Sequence, residues 1–317
     1  MTEKANPIYV SSKDTAEHIL DKYDNFLLDC DGVIWLDEHL IPGVVKFLNY
    51  LTVHNKKYTF VTNNSSKSRQ QYIEKFKRLG LPDITKESIY PTCYSAALEV
   101  KRLNIPIGSK IWCLADDGVK HELEDMGYIA LGVNDPKLNE LNLESPILIP
   151  DPEVKAVVVG NTFSCNYMRI VSTLQYLLNK ELPFIACNCD RTYPGPALPG
   201  QSTPVELAAG GFLVNTASWL SQRTDYIDTG KPSQIFLNLI LEHNHYDRSK
   251  TIMVGDTLYT DIKFGNDGNL GDGQSSLLVL SGGTSLNGLK QVVAGKDESL
   301  IPSFYVKSLG ELVDLVD

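Results

Sequence analysis

Phe26-Leu27-Leu28-Asp29-Cys30-Asp31-Gly32-Val33-Ile34-Trp35 is the stretch that determines the fold of this 317-residue chain. An apolar run that stops at two carboxylates one residue apart, with a glycine directly after them, is typical of a buried strand that places acids at a sheet edge. Carboxylates this close repel each other unless a cation lies between them or one keeps a proton. The stretch therefore predicts either a hard metal ion such as Mg²⁺ or a shared proton at this edge.

The pattern Asp-x-Asp-Gly also occurs in calcium loops and in plain turns. An EF-hand loop requires an oxygen ligand at its fifth position and a glutamate at its twelfth, where this chain has Val33 and Leu40. The calcium loop is therefore excluded. A plain turn after the strand stays open for this stretch alone, because Asp and Gly are ordinary turn residues.

Composition places the chain among soluble globular proteins. Its length and its 43% hydrophobic content suffice for a large core and for two domains. The formal charge of -10 argues against a nucleic-acid partner or an anionic membrane, since binders of phosphate backbones need a basic face. The sequence shows neither a signal-peptide core nor a run approaching about 20 apolar residues, so we expect a cytoplasmic location and no membrane partner. The six cysteines are scattered, which predicts reduced and mostly buried thiols.

A second polar cluster follows the next predicted strand. The strand Lys57 to Val61 leads into Thr62-Asn63-Asn64-Ser65, and a helical stripe separates it from the first strand. This is a βαβ unit, whose two strand ends lie at one edge. Hydroxyl and amide groups ahead of a helix suit a phosphate oxygen, although a cluster of helix caps explains the same residues.

Two more strand ends carry charge. A short strand from Asp225 to Asp228 leads to Lys231 in a Gly-Lys-Pro turn, and the strand Thr251 to Gly255 leads to Asp256, with Asp261 five residues later. Read alone, Lys231 is as well explained as a solvated charge. Acid, hydroxyl, lysine and acid at four strand ends are improbable as coincidence, so we expect Lys231 to hold a phosphate near Asp29.

The region from about residue 104 to residue 224 repeats the order of strand and helix, which predicts a second α/β domain. A loop rich in proline and glycine, from Asn188 to Gly200, follows one of its strands and carries Asp190, Arg191 and Tyr193. This loop is either a surface connection or a loop that selects the substrate. A helix is predicted after it, from Pro204 to Ala209.

Together the four stretches resemble the haloacid-dehalogenase superfamily in order, residue type and spacing. The segment from Leu28 to Trp35, with Val61 to Ser65, is similar to the branch of 4-nitrophenylphosphatases and phosphoglycolate phosphatases, which has a large cap. The resemblance implies an α/β fold: a Rossmannoid parallel-sheet core formed by residues 1–105 and 225–317, and an inserted α/β cap formed by residues 106–224.

The resemblance also implies roles for individual residues. Asp29 would be the nucleophile, and Asp31 the general acid and base. The remaining roles are Mg²⁺ binding by Asp29, the main-chain carbonyl of Asp31 and Asp256, with Asp261 in support; phosphate binding by Thr62, Asn63, Asn64 and Lys231; and substrate selection by Asn188, Asp190, Arg191 and Tyr193.

The implied activity is Mg²⁺-dependent hydrolysis of small phosphate monoesters, such as 4-nitrophenyl phosphate and phosphoglycolate, through an aspartyl phosphate. Pyridoxal, sugar and nucleotide phosphatases of the same fold are the alternatives. The loop from Asn188 to Pro194 lacks the histidine expected of a pyridoxal phosphatase. The segment Gly160-Asn161-Thr162 also lacks an acid that some family members have in the cap. A non-catalytic protein that binds a phosphorylated metabolite is another alternative. A phosphate-accepting receiver module should be far shorter and have no cap. The sequence is compatible with a homodimer.

Overall fold

The computed structural model describes residues 6–81, 83–201 and 203–317. Residues 1–5, Pro82 and Ser202, which fall within the predicted domain ranges, lie outside the described residues. The chain divides into two compact units. The first unit comprises the described residues up to Thr62, Ile73–Tyr90 and Lys231–Asp317, and the second comprises Asn63–Tyr72 and Pro91–Gly230.

Strands and helices alternate along most of the chain. The strands are β1 (Ile8–Tyr9), β2 (Asn25–Leu28), β3 (Trp35–Leu36), β4 (His39–Leu40), β5 (Lys57–Thr62), β6 (Ile89–Pro91), β7 (Lys110–Leu114), β8 (Ile129–Leu131), β9 (Val154–Val159), β10 (Phe184–Ala186), β11 (Thr192–Ala197), β12 (Pro204–Ala208), β13 (Ile227–Asp228), β14 (Thr251–Gly255), β15 (Ser276–Val279) and β16 (Phe304–Val306). The helices are α1 (Lys13–Lys22), α2 (Val44–Val53), α3 (Arg69–Arg78), α4 (Thr92–Arg102), α5 (Asp117–Asp125), α6 (Tyr167–Leu177), α7 (Gly210–Ser221), α8 (Gln234–Asn244), α9 (Lys263–Asp267), α10 (Leu286–Gly295) and α11 (Leu309–Asp314).

The first unit is built on a seven-stranded sheet in the order β1-β16-β15-β14-β2-β5-β6. At its centre β2 pairs in parallel with β14 on one side and β5 on the other, with Leu28 opposite Val254 and Phe60. Phe26, Leu27 and Leu28 are fully buried, as expected for a central parallel strand covered on both faces. This register brings the residues after the three strands to one edge, which confirms the predicted α/β core.

The second unit has its own parallel sheet, in the order β13-β10-β9-β7-β8. Helix α4 packs on this sheet, because Cys93, Ala97 and Val100 share a buried cluster with Ile111 and Val158. The second unit therefore includes α4, whereas the predicted ranges placed residues up to 105 in the core and the insertion at 106–224. Its role as a cap stays a prediction.

The helix predicted from Pro204 to Ala209 is wrong. Residues 204–208 form β12, which pairs antiparallel with β11, and the helix α7 begins only at Gly210. Exposure alternates along β12, where Val205 and Leu207 are half-buried between exposed neighbours. A period of two residues is that of a strand. The predicted loop after Asn188 is therefore partly a two-stranded ribbon.

Two predictions from composition can be compared with the described residues. Four of the six cysteines are buried and the other two are partly buried, and all six are free thiols, which agrees with the predicted state. Within residues 6–81, 83–201 and 203–317, none of the helices combines the length and the apolar character that crossing a membrane requires.

The central strand gives a stability prediction. Leu27 is fully buried, whereas Val53, at the end of α2, is 76% exposed. We expect Leu27→Ala to lower the free energy of unfolding by about 2–5 kcal/mol, because it leaves a cavity in the sheet core. Val53→Ala should change it by less than about 0.5 kcal/mol. Urea denaturation of both variants measures the difference, and equal losses would contradict the burial of β2.

Candidate active site

The centre of the site is an ammonium group between two carboxylates of the first unit. Lys231 Nζ lies 2.6 Å from Asp29 Oδ1 and 2.7 Å from Asp261 Oδ1. It also donates a hydrogen bond of 2.8 Å to the carbonyl oxygen of Val61 in β5. Asp29 follows β2, and all three charged side chains are buried. The structure therefore brings together residues that are 202 positions apart in the chain.

These contacts keep Lys231 charged. Burial alone would lower the pKa of Lys231, but the carboxylates of Asp261 and Asp29 outweigh burial and raise it above that of an ordinary lysine. The buried side chain carries a full positive charge at neutral pH. The site thus offers a fixed cation at the edge where β2 and β5 end.

The loop after β14 is held by its own acids. Asp261 Oδ2 accepts the main-chain N–H groups of Asp256 and Thr257, both at 3.1 Å. Asp256 Oδ2 accepts the N–H of Gly283 at 2.6 Å, and its Oδ1 accepts the Thr257 hydroxyl at 3.1 Å. Asp261 therefore fixes both Lys231 and the loop that carries Asp256, and both carboxylates have a set orientation.

Three buried carboxylates lie close enough together to hold a metal ion. One oxygen each of Asp29, Asp256 and Asp261 lies within 4.8 Å of the others, and all three residues are buried. Burial, with help from the neighbouring acids, raises the pKa of Asp29 well above its usual value despite Lys231. Burial and Asp261 raise the pKa of Asp256 to about 7. A set of three hard oxygen donors, two of which have raised pKa values, fits a divalent cation such as Mg²⁺.

Asp31 is not one of the three converging carboxylates, and it is exposed to solvent. The indole N–H of Trp35 donates to Asp31 Oδ1 at 2.8 Å. Trp35 is fully buried, with the edge of Phe76 against it at 5.0 Å between ring centroids and Lys75 Nζ 4.2 Å from its ring centre. A rigid donor therefore orients an exposed carboxylate, as a proton-transfer group requires. That the main-chain carbonyl of Asp31 binds the metal stays a prediction.

The predicted phosphate-binding residues differ in their surroundings. Thr62 ends β5 and is buried in the first unit. Asn64 Oδ1 accepts the N–H and the hydroxyl of Ser66 at 2.8 and 2.7 Å, which is an Asx-type turn. A local turn therefore engages Oδ1 of Asn64, and phosphate binding by Asn64 stays a prediction. Asn63, in the second unit, donates from Nδ2 to Asp190 Oδ2 at 2.9 Å.

The four residues of the predicted substrate loop fall into two pairs. Asn188 is buried and donates from Nδ2 to the carbonyl of Asn63 at 2.7 Å, so Asn188 and Asp190 both contact Asn63. Arg191 is exposed, and Tyr193 is half-buried on β11 opposite Leu207. The structure places the first pair against a neighbouring loop, whereas Arg191 directly precedes β11 and Tyr193 lies on that strand.

Two contributors to the site were missed from the sequence. The indole N–H of Trp35 lies four residues after Asp31 in the sequence. It reaches the Asp31 carboxylate only because the chain turns back between the two residues. Gly283 lies in the segment Ser281-Gly282-Gly283-Thr284 after β15 and donates to Asp256. The signal that would have revealed it is an apolar strand, β15, followed by small residues. The end of β15 is a fifth strand end, beside the four predicted from the sequence.

Comparison with known proteins gives the same family along most of the chain. A family model described as haloacid dehalogenase-like hydrolase matches residues 26–129, and a HAD-hydrolase-like model matches residues 228–312. The chain is 34% identical over 310 residues to a 4-nitrophenylphosphatase of Schizosaccharomyces pombe, covering 96% of this chain and 98% of the relative.

Other relatives are named for metabolic substrates. Phosphoglycolate phosphatase 1A of Arabidopsis thaliana, a chloroplastic protein, is 35% identical over 302 residues, covering 95% of this chain and 79% of the relative. Glycerol-3-phosphate phosphatase of Homo sapiens is 31% identical over 315 residues, covering 95% and 94%. The solved structure of a 4-nitrophenylphosphatase from Thermotoga maritima is 28% identical with a TM-score of 0.75, covering 95% of this chain and 100% of that one.

Gly32 allows a test of the acidic cluster. Its φ is +83°, and an added Cβ would lie 2.2 Å from Asp256 Oδ2, whereas Gly80 has a φ of +88° and nothing within 4 Å of its Cβ. Both Gly32→Ala and Gly80→Ala should lose about 1–2 kcal/mol of stability from backbone strain. Only Gly32→Ala should also weaken Mg²⁺ binding, measured by titration calorimetry, because it displaces Asp256. Unchanged Mg²⁺ affinity in Gly32→Ala would contradict the metal assignment.

Proposed function

Since the chain belongs to the haloacid dehalogenase-like hydrolases and is a phosphoric monoester hydrolase, we propose that it hydrolyses small phosphate monoesters with Asp29 as the nucleophile. The observation that carries this proposal is the buried contact of 2.6 Å between Asp29 Oδ1 and Lys231 Nζ. A carboxylate beside a fixed cation, at a strand end where Asp256 and Asp261 also converge, is suited to phosphoryl transfer.

The roles of the three buried acids follow from their hydrogen bonds. Both oxygens of Asp261 are used, one by Lys231 and one by the loop after β14, and both oxygens of Asp256 accept neighbouring donors. In this proposal Asp261 supports the site, whereas Asp256 is oriented as a ligand of the metal ion. Asp29 is placed at the end of the central strand, and its carboxylate attacks phosphorus to form an acyl phosphate while the alcohol oxygen leaves.

Lys231 and Thr62 face the transferred group in this proposal. The charged ammonium of Lys231 offsets negative charge on the phosphoryl oxygens as the bond to the leaving group breaks. Because Asp261 and Val61 hold the ammonium in place, little reorganisation is needed during the reaction. The Thr62 hydroxyl and the Asn63 segment bind further phosphoryl oxygens.

Asp31 serves both half-reactions. It first gives a proton to the leaving alcohol oxygen, and it then takes a proton from the water that attacks the phosphorus of the acyl phosphate. The Trp35 indole occupies Oδ1, so we assign the transferred proton to Oδ2. The exposure of Asp31 suits a group that must meet both an alcohol and water.

Mg²⁺ is the proposed cofactor. Asp29 and Asp256 would hold it, together with the main-chain carbonyl of Asp31, and Asp261 would support the site. When bound, the ion supplies positive charge that offsets the phosphoryl oxygens and the crowded carboxylates. The all-oxygen donor set of the cluster supports this assignment.

The proposed substrates are phosphate monoesters of small alcohols. Relatives are named for 4-nitrophenyl phosphate, phosphoglycolate and glycerol 3-phosphate, which share a phosphate ester on a small carbon skeleton. We propose that the second unit acts as the cap, and that Arg191 and Tyr193 distinguish among alcohols. Arg191 is exposed and Tyr193 half-buried, so both present polar groups at the surface of this unit.

Removal of the metal should abolish activity. Hydrolysis of 4-nitrophenyl phosphate, followed by absorbance, should vanish in EDTA and return with Mg²⁺. Ca²⁺ should restore it poorly, because its looser and higher coordination misplaces the nucleophile. Full activity in the chelator would refute the metal assignment.

The two carboxylates of the opening stretch should fail in different ways. Asp29→Asn removes the attacking group, so activity should fall to background. Asp31→Asn should still permit attack on 4-nitrophenyl phosphate, whose leaving group needs little protonation, but the acyl phosphate should persist because no base activates water. Rapid-mixing kinetics should show a burst of nitrophenol followed by a very slow steady state.

The exposed Asp14 of α1 provides the matched control. Asp14→Asn removes the same charge away from the site and should keep both the rate and the time course of the unchanged protein. Equal residual turnover without a burst in Asp29→Asn and Asp31→Asn would mean that the roles are assigned to the wrong residues.

A further inference from the structure

We propose that Asp190 is a positioning residue that fixes the orientation of Asn63, and that it makes no contact with the leaving group of the substrate. The inference rests on the proposed function in one respect, namely that Asn63 binds the phosphoryl group. It assigns Asp190 a different task from its neighbours Arg191 and Tyr193.

Asn63 is held at both of its polar ends. Its Nδ2 donates to Asp190 Oδ2 at 2.9 Å. Its main-chain carbonyl accepts the Thr92 hydroxyl at 2.8 Å and Nδ2 of Asn188 at 2.7 Å. These donors and acceptors come from the start of α4 and from the loop after β10. The residue that directly follows Thr62 is therefore fixed by tertiary contacts within the second unit.

The loop that carries Asp190 is itself fixed. Asn188 is 3% exposed, and its Oδ1 accepts the N–H of Asp190 at 3.3 Å. The carbonyl of Asp190 accepts the N–H of Gly211 at 2.9 Å. A Cβ at Gly211 would lie 2.5 Å from the carbonyl oxygens of Cys189 and Asp190, and one at Gly210 would lie 2.8 Å from Asn188 Oδ1. Glycines at the start of α7 thus let the helix close directly over the loop.

The chemistry of the pair explains why an acid stands at this position. A carboxylate accepts hydrogen bonds and donates none, so it accepts only from the NH₂ end of the Asn63 amide and sets which way that amide faces. Bonds to a charged acceptor are about twice as strong as neutral ones.

The experiment compares matched variants on three substrates. Asp190→Leu keeps the size of the side chain but removes the acceptor, whereas Asp190→Asn keeps an acceptor oxygen. Arg191→Ala, at the adjacent exposed residue that we propose to distinguish among alcohols, is the comparison for an effect confined to the leaving group. We would measure kcat/KM for 4-nitrophenyl phosphate, phosphoglycolate and glycerol 3-phosphate, and the inhibition constant of inorganic phosphate, which has no leaving group.

We expect Asp190→Leu to lower kcat/KM by roughly tenfold to a hundredfold, the range for a lost hydrogen bond to a charged group. The loss should be equal for all three substrates, and phosphate should bind more weakly. Asp190→Asn should lose only roughly threefold to tenfold, and less than Asp190→Leu, since the hydrogen bond persists without its charge. Arg191→Ala should leave phosphate inhibition unchanged. In the Asn63→Ala background, Asp190→Leu should have no further effect, because the residues act as one unit.

The inference would be overturned if the losses differed among the substrates or if the inhibition constant of phosphate did not change. It would also be overturned if the effect added to that of Asn63→Ala, or if Asp190→Asn lost as much activity as Asp190→Leu. If thermal denaturation shows that Asp190→Leu is not folded, Asp190→Ser replaces it in every comparison. The serine side chain is too short to reach Asn63. A failure of the proposed function differs from a failure of this inference. In the first case the single variants Asp29→Asn and Asn63→Ala would retain hydrolysis, whatever the effect of changing Asp190.

Discussion

The ammonium group of Lys231, held between Asp29 and Asp261, is the interaction on which the site depends. Three buried charges are stable together only because each has an opposite charge in direct contact. Removing one partner of a buried pair leaves an uncompensated charge, which costs about 3–5 kcal/mol. The same contacts tie the end of β2 to the loop after β14, so fold stability and the placement of the Asp29 carboxylate have one physical origin.

The parallel sheet determines which residues meet at this cation. Leu28 lies opposite both Val254 and Phe60, so the carboxyl ends of β2, β14 and β5 reach one level. Close approach of the loops then requires residues without a Cβ: Gly32 and Gly282 both lie so near Asp256 that an added Cβ would come within 2.2 Å of its carboxylate. A carboxylate can enter this space only because glycines line it.

The sequence was most informative where an apolar strand ended in a polar residue. This pattern predicted that Asp29, Lys231 and Asp256 lie at one edge, where the structure brings their side chains together, and the core sheet follows from the same pattern. The ribbon of β11 and β12 was not predicted. The five-residue segment that begins at Pro204 is too short for its periodicity to distinguish a strand from a helix. The bond from Asn63 to Asp190 joins residues 127 positions apart. Such a contact depends on tertiary packing, which local sequence patterns do not contain.

Chemical trapping of the covalent intermediate tests the central claim, that Asp29 receives the phosphoryl group, most directly. An acyl phosphate is reduced by borohydride, whereas a free carboxylate is not, so treatment during turnover converts the phosphorylated aspartate to homoserine. Peptide mass spectrometry of the Mg²⁺-loaded protein should find homoserine at position 29, and only when a phosphate ester is present. Homoserine at position 31, 256 or 261, or a stable phosphoryl group on a serine or histidine, would contradict the account.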